Sequence, residues 1–211
     1  LAALCEDENG DPHDFMRKVS GLYYRENQKT LTYATWFGAQ HRKQGTIVLN
    51  DWRQAHDSGL TTKPVPALSR VASLGKAVDT KMRRNMKGFE EITKSCTKDA
   101  SRGYVTALDG RHIPVQQTRL ALLTLLQGNE AVVMKNAYVL ACEKLREEIN
   151  NGLAHPVLWV HDEFQWACEP ECADFVGQAL SECITEAGEK LGLRLKLGAK
   201  YKIGETWAQT H

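Results

Sequence analysis

The sequence has no Cys-x-x-Cys pair, no long apolar run and almost no net charge. Its six cysteines (Cys5, Cys96, Cys142, Cys168, Cys172 and Cys183) stand apart along 211 residues. Neither zinc-site spacing nor a disulfide scaffold is indicated, and the expectation is buried or surface thiols in a reducing compartment. No hydrophobic stretch approaches the roughly 20 residues that span a bilayer, and no signal-peptide pattern opens the chain. A cytoplasmic protein with no membrane partner is expected. Proline is scarce, at 6 residues, and no repeat or low-complexity tract appears. Position 1 is Leu1 and not methionine, which suggests a processed chain or a piece of a longer protein. What remains is an ordinary globular composition, 42% hydrophobic and 25% charged, long enough for one large domain or two packed ones.

The formal charge of +1 conceals two opposed segments. Residues 63–119 hold twelve Lys/Arg against five acids, a balance of +7, whereas residues 130–192 hold four against twelve, a balance of −8. A basic segment of this kind is the electrostatic footprint of a polyanion-binding surface, since each neutralised phosphate releases counterions. It is equally what a solvated helical face looks like.

The first hundred residues read as mostly helical, with loops at 57–66 and 150–156. A helix over about Gln117–Glu148 is apolar nearly all round (Leu120, Leu123, Leu126, Val133, Ala137, Leu140), so it is expected to be buried. Strand signals gather in the second half. Tyr104–Ala107 and Ile113–Val115 flank an Asp-Gly turn, and Val157–Val160 and Phe164–Ala167 flank His161-Asp162-Glu163. Leu193–Ile203 alternates apolar and basic residues and predicts a half-buried strand, while 170–190 has helical spacing. The fold class is α+β: a helical first half, then a small antiparallel sheet backed by helices.

Two constellations carry chemistry. In RENQKTLTYATWFGA, Arg25, Lys29 and Tyr33 recur every four residues and line one helical stripe. A guanidinium and an ammonium one turn apart can grip successive phosphates, and a ring one turn further can meet a base or sugar. The same spacing also occurs on plain solvated helices. In VLWVHDEFQW, two carboxylates interrupt an apolar hairpin. Asp162 and Glu163 suit a hard cation such as Mg²⁺, though adjacent strand residues face opposite ways and would not share one ion equally. Acids merely solvated at a tight turn are the plain alternative.

Taken together and in order, these segments resemble the family A DNA polymerases, the DNA polymerase I family, and most closely the replicative enzymes of podoviruses. RENQKTLTYATWFGA resembles motif B, the nucleotide-binding helix of the fingers. LWVHDEFQ resembles motif C of the palm. DGRHIPV followed by RLALLTLLQ is similar to the palm hairpin and the helix bearing a minor-groove glutamine, and ETWAQTH matches the closing Trp and terminal His. The opening LAAL with DPH resembles the stretch just past motif A, and the twelve-residue step from His13 to Arg25 fits the phage branch.

The resemblance implies helical fingers over residues 1–102 and the C-terminal part of the palm over 103–211. It implies that His13, Arg25 and Lys29 hold the triphosphate of an incoming dNTP, with Lys29 also stabilising the leaving pyrophosphate. Tyr33 would lie near the base and sugar, in the form associated with acceptance of dideoxynucleotides. Asp162 would be a ligand of a catalytic Mg²⁺ pair, Glu163 an auxiliary beside it, and His161 a contact to the primer terminus. Arg119 and Gln127 would read the minor groove of primer–template DNA, where acceptors are alike for every base pair, and Phe37 would face the template. Three residues depart from the family pattern: Ala34 replaces a Gly, Phe37 a Tyr and Leu123 an Asn.

Motif A, with a further metal-ligating Asp, would precede Leu1, as would the thumb. A chain lacking them is expected to be inactive alone, whether as a truncation or as half of a split enzyme. Its partners would be that N-terminal portion, DNA, dNTP and a processivity factor, in the cytoplasm of a bacterial host. Two other readings stay open: a metal-dependent nuclease, which gives no reason for the Arg25/Lys29/Tyr33 stripe, and a nucleic-acid-binding module that keeps the fold without catalysis.

Overall fold

The computed structural model describes residues 10–210. Cys5, the opening LAAL and the terminal His211 lie outside the described residues. The chain divides into two compact units, one reaching to Val105 and adding Pro114–Leu125, the other made of Thr106–Ile113 and the chain from Leu126 onward.

The first unit is helical, and its helices begin and end for local reasons. Helix α1 (Pro12–Ser20) opens on Asp11, whose carboxylate accepts the N–H groups of His13 and Asp14, with proline at the first helical position. It stops at Gly21, whose φ of 81° suits glycine and lets its N–H return to the carbonyl of Arg17. Helix α2 (Arg25–Trp36) has no side-chain cap of its own. Its entry is tied down from a distance by Asp51 on α3 (His41–Asp57), a fully buried carboxylate that accepts the N–H of Tyr23 at 2.8 Å, the N–H of Tyr24 at 3.0 Å and the Asn27 amide at 3.0 Å. Each bond satisfies a donor that burial would otherwise strand, at a cost of about 1–3 kcal/mol.

Helix α4 (Val71–Asn85) crosses α3 backbone to backbone. A Cβ added at Gly45 would lie 1.8 Å from the carbonyl oxygen of Val71, and one at Gly75 would lie 1.8 Å from that of His41. Helix α5 (Phe89–Ala100) follows. Met16, Leu22, Leu31, Val48, Val78, Met82 and Met86 form the core, joined by Trp36, Trp52 and Phe89.

The unit boundary runs through a short hairpin, β1 (Tyr104–Thr106) with β2 (His112–Pro114), and through α6 (Ala121–Lys144). The long apolar helix expected over Gln117–Glu148 is in fact three pieces: a 3-10 turn at Thr118–Leu120, α6, and α7 (Arg146–Asn150) after an interruption at Leu145. Leu145 itself is wholly buried.

In the second unit β3 (Ala154–Val160) pairs antiparallel with β4 (Glu163–Cys168), with a bulge beside Pro156, which has no N–H to give to a ladder. The loop expected at 150–156 is therefore shorter, because β3 already begins at Ala154. Helix α8 (Ala173–Lys190) backs the hairpin, and a short α9 (Trp207–Thr210) ends the described chain.

The half-buried strand expected over Leu193–Ile203 does not form, and among the described residues the only sheets are the two hairpins. The alternation was real but serves another purpose. Leu193 and Leu197 pack into the Val133–Ala137–Ala187 cluster, Leu197 accepts a hydrogen bond from Thr185, and the Tyr201 ring covers Gly177. The segment packs against α8 through its side chains, with no ladder partner among the described residues.

Candidate functional site

On α2 the residues at positions 28, 31, 32, 34 and 35 are buried, which leaves Arg25, Lys29 and Tyr33 on the opposite, solvent-facing stripe. The stripe is organised before any ligand arrives. Arg25 donates to Asp11 through Nε and to Glu26 through Nη1 at 3.0 Å. The Arg25 guanidinium holds the Asp11 carboxyl down to about 2, ahead of help from the Asp14 N–H. His13, one residue into α1, lies beside the same group. Partial burial and then the positive charge of Arg25 lower its pKa from 6.5, so at neutral pH it is an uncharged donor and acceptor. Lys29 is exposed and has no ion pair among the described residues.

Tyr33 is the hub of an exposed aromatic group. Its ring centre is 6.0 Å from that of His13 and 5.8 Å from that of Phe37, stacked on the latter, with Trp36 edge-on at 6.0 Å. The fold thus gathers His13, Arg25, Tyr33 and Phe37 with Lys29 on one face: two cations, a neutral imidazole and flat apolar rings. Arg119 is in this unit too, on the 3-10 turn before α6, with Nε donating to Gln117 at 3.0 Å.

The second constellation belongs to the other unit. The β3–β4 register closes at Val160 opposite Glu163, leaving His161 and Asp162 as a two-residue turn. His161 has φ of 52° and is the only non-glycine at positive φ among the described residues, a strained setting for a side chain that persists only where the surroundings enforce it. Here the Trp159 indole donates to the His161 carbonyl at 2.7 Å. Tyr138 of α6 stacks on Trp159 and meets Phe164 and Trp166, and this aromatic platform fixes the root of the turn.

Asp162 and His161 are exposed at the tip, whereas Glu163 is half-buried and accepts a hydrogen bond from Gln165. Thr210 of α9 donates in turn to Gln165 at 3.2 Å. Gln127 is exposed on α6. No group of three or more His, Cys, Asp or Glu gathers in metal-binding geometry among the described residues. The turn therefore offers a carboxylate arm and not a cage. That donor set suits Mg²⁺, which takes one or two protein carboxylates together with waters and substrate phosphates.

Sequence reasoning missed Asp11 and Asp51. Both act across 14 to 28 residues, but one signal was available: Gln44, Val48, Asp51 and Ala55 share a buried helical stripe, and an acid in such a stripe needs partners.

No family model matches the chain. It is 28% identical to the DNA-directed DNA polymerase of Enterobacteria phage T3 and 28% identical to that of Escherichia phage T7, each match covering 96% of this chain. The corresponding enzyme of Escherichia phage Phieco32 is 27% identical over 96% of the chain. The chain spans only 29–30% of the length of these relatives. The POL domain of Pol1 from M. smegmatis, solved with primer–template DNA and dNTP, superposes with a TM-score of 0.64 over 89% of this chain and 33% of its own, at 16% identity. No helix among the described residues is long and apolar enough to cross a membrane. Along nearly its whole length the chain is thus similar to phage DNA-directed DNA polymerases, and it shares its fold with a Pol1 polymerase domain.

Proposed function

We propose that the chain supplies the fingers, over 1–102, and the C-terminal part of the palm, over 103–211, of a phage-type polymerase that extends a primer from dNTPs on a DNA template in a bacterial host. The observation that carries this reading is the collection of His13, Arg25, Lys29 and Tyr33 on one exposed face of the first unit. A triphosphate has the charge to displace Asp11 and Glu26 from Arg25. Lys29 sits a turn away to meet the next phosphate, and the neutral His13 adds a hydrogen bond without adding charge. The Tyr33 ring offers a flat surface for base and sugar, and Phe37 extends it toward the template.

In the second unit Asp162 is the metal-ligating carboxylate, Glu163 its auxiliary, and His161 a contact for the primer end. Bound Mg²⁺ would supply activation of the primer 3′-oxygen and neutralisation of the triphosphate. Arg119 and Gln127 meet the minor groove. A further carboxylate and a thumb would come from other parts of the polymerase, and a processivity factor would be a separate partner.

The test is single-turnover incorporation by a polymerase carrying this segment. Lys29→Ala lowers the chemical rate by about 100-fold while dNTP affinity falls less than ten-fold, because the ammonium matters most as charge builds on the leaving group. Asp162→Ala abolishes incorporation. Loss of affinity alone with Lys29→Ala, or full activity with Asp162→Ala, refutes the reading.

A further inference from the structure

Resting on the triphosphate role given above to the stripe on α2, we propose that Asp11 is that stripe's resident counter-ion. It holds Arg25 between one nucleotide and the next and takes it back as pyrophosphate leaves, so it limits affinity for substrate and product alike. The two carboxylate oxygens of Asp11 have different partners. Oδ1 accepts the N–H of His13 at 2.9 Å and the N–H of Asp14 at 3.0 Å, which starts α1. Oδ2 accepts from Arg25 Nε.

Which partner moves follows from how each is held. Asp11 is fixed by two backbone donors at the start of α1, and Arg25 begins α2, whose entry Asp51 fixes through the N–H groups of Tyr23 and Tyr24. Both main chains are anchored, whereas the long arginine side chain can turn. A phosphate therefore has to draw the guanidinium off Oδ2, and the carboxylate stays behind as a fixed negative charge beside the bound anion. Both effects weaken anion binding. Glu26, the other carboxylate on Arg25, has a side chain 77% exposed and can turn away into water.

The charges agree with this role. Arg25 and Lys29 are positive, Asp11 and Glu26 are negative, and the pKa of His13 is lowered from 6.5, so the group is balanced between nucleotides. A triphosphate and the pyrophosphate cut from it would both use Arg25. A site that gripped the first without a rival would also hold the second, and binding both equally well gains nothing in the chemical step. The rival must be weak enough to yield. Arg25 holds the Asp11 carboxyl down to about 2, but the two side chains are 45% and 34% exposed, and a pair so open to water weakens an exchanging ligand by only about a few-fold.

The experiment uses a polymerase carrying this segment. It reads dTTP affinity from the concentration dependence of single-turnover incorporation, and pyrophosphate affinity from product inhibition. Asp11→Asn keeps an oxygen for the α1 cap and gives up the charge, and it tightens both ligands by about four-fold. Asp11→Ser, another good cap and too short to hold Arg25, does the same. Asp14→Asn is an equal charge change on α1 in a residue that pairs instead with Arg17 and Lys18, and it leaves both affinities at those of the wild type. Equal shifts in Asp11→Asn and Asp14→Asn mean a general field and overturn the proposal, as do unchanged affinities in Asp11→Asn. Weaker binding in Asp11→Asn overturns it too, because Asp11 would then be aiming Arg25 at the phosphates and not competing with them. Failure of the Lys29 and Asp162 tests condemns the stripe and the turn themselves. Success there with unmoved Asp11 affinities condemns the counter-ion alone.

Discussion

Replacing Asp51 by Asn tests whether a buried carboxylate on α3 holds the start of α2. The carboxylate accepts from the Tyr23 N–H on Oδ2, and from the Tyr24 N–H and the Asn27 amide on Oδ1. Asparagine keeps one acceptor oxygen and turns the other into an NH₂ that must point at an N–H. At least one bond to a charged group is lost, about 1.5–3 kcal/mol, and a buried donor is left unpaired, about 1–3 kcal/mol. The expected cost is about 4 kcal/mol, a large share of the roughly 5–15 kcal/mol that holds a domain. Hydrogen exchange reads it at the relevant atoms: protection of the Tyr23 and Tyr24 amides falls by about a thousand-fold, at 1.36 kcal/mol per decade. Asn27→Ala, which removes one donor and leaves the acceptor intact, costs only about 1 kcal/mol. Unchanged protection of both tyrosine amides in Asp51→Asn would refute the anchoring role and, with it, our account of how Arg25 is placed.

Gly45→Ala and Gly75→Ala each force α3 and α4 apart, because the new methyl meets a carbonyl oxygen at 1.8 Å; each costs about 3 kcal/mol, read as a lower urea midpoint. The Asp11–Arg25 pair carries a pH signature. The Asp11 pKa is depressed from 3.8 to about 2, so its stabilisation is fully present above pH 3.8 and is lost as pH falls through about 2. The melting-temperature gap between wild type and Asp11→Asn should close over that window, and a gap that persists below it contradicts the pairing. Tyr33→Phe keeps the ring and removes one hydroxyl. In a competent polymerase it raises discrimination against dideoxynucleotides while normal incorporation is nearly unchanged, and an unaltered ratio removes Tyr33 from the sugar.

Periodicity was a sound guide wherever an element satisfies its own backbone. The stripe of Arg25, Lys29 and Tyr33 lies on α2 as spaced, and 170–190 is helical from Ala173. Both hairpins stand where turn residues sat between apolar runs, although β3 extends back to Ala154. Leu193–Ile203 misled because alternation reports which side chains are buried, not whether a strand lies alongside. Here α8 takes the apolar side chains and no backbone partner pairs with the segment among the described residues. The site was half legible for a similar reason. Residues four apart on one helix announce themselves, whereas Asp11 and Asp51 matter through bonds to distant atoms that no local pattern encodes. The same holds for the Thr210–Gln165–Glu163 chain.

The glycine contact between α3 and α4 also limits how this sequence can drift. Each absent Cβ faces the other helix's main chain and not a side chain. A bulky substitution in a core is commonly rescued by trimming its neighbour, but a carbonyl oxygen cannot be trimmed. No second-site change opposite Gly45 or Gly75 can make room for a methyl group, so a suppressor screen started from either alanine variant should return revertants at the same codon and little else. A lineage keeps both glycines or rebuilds the whole crossing. Because the oxygen that Gly75 must clear belongs to His41, rebuilding it would move the first residue of α3 as well.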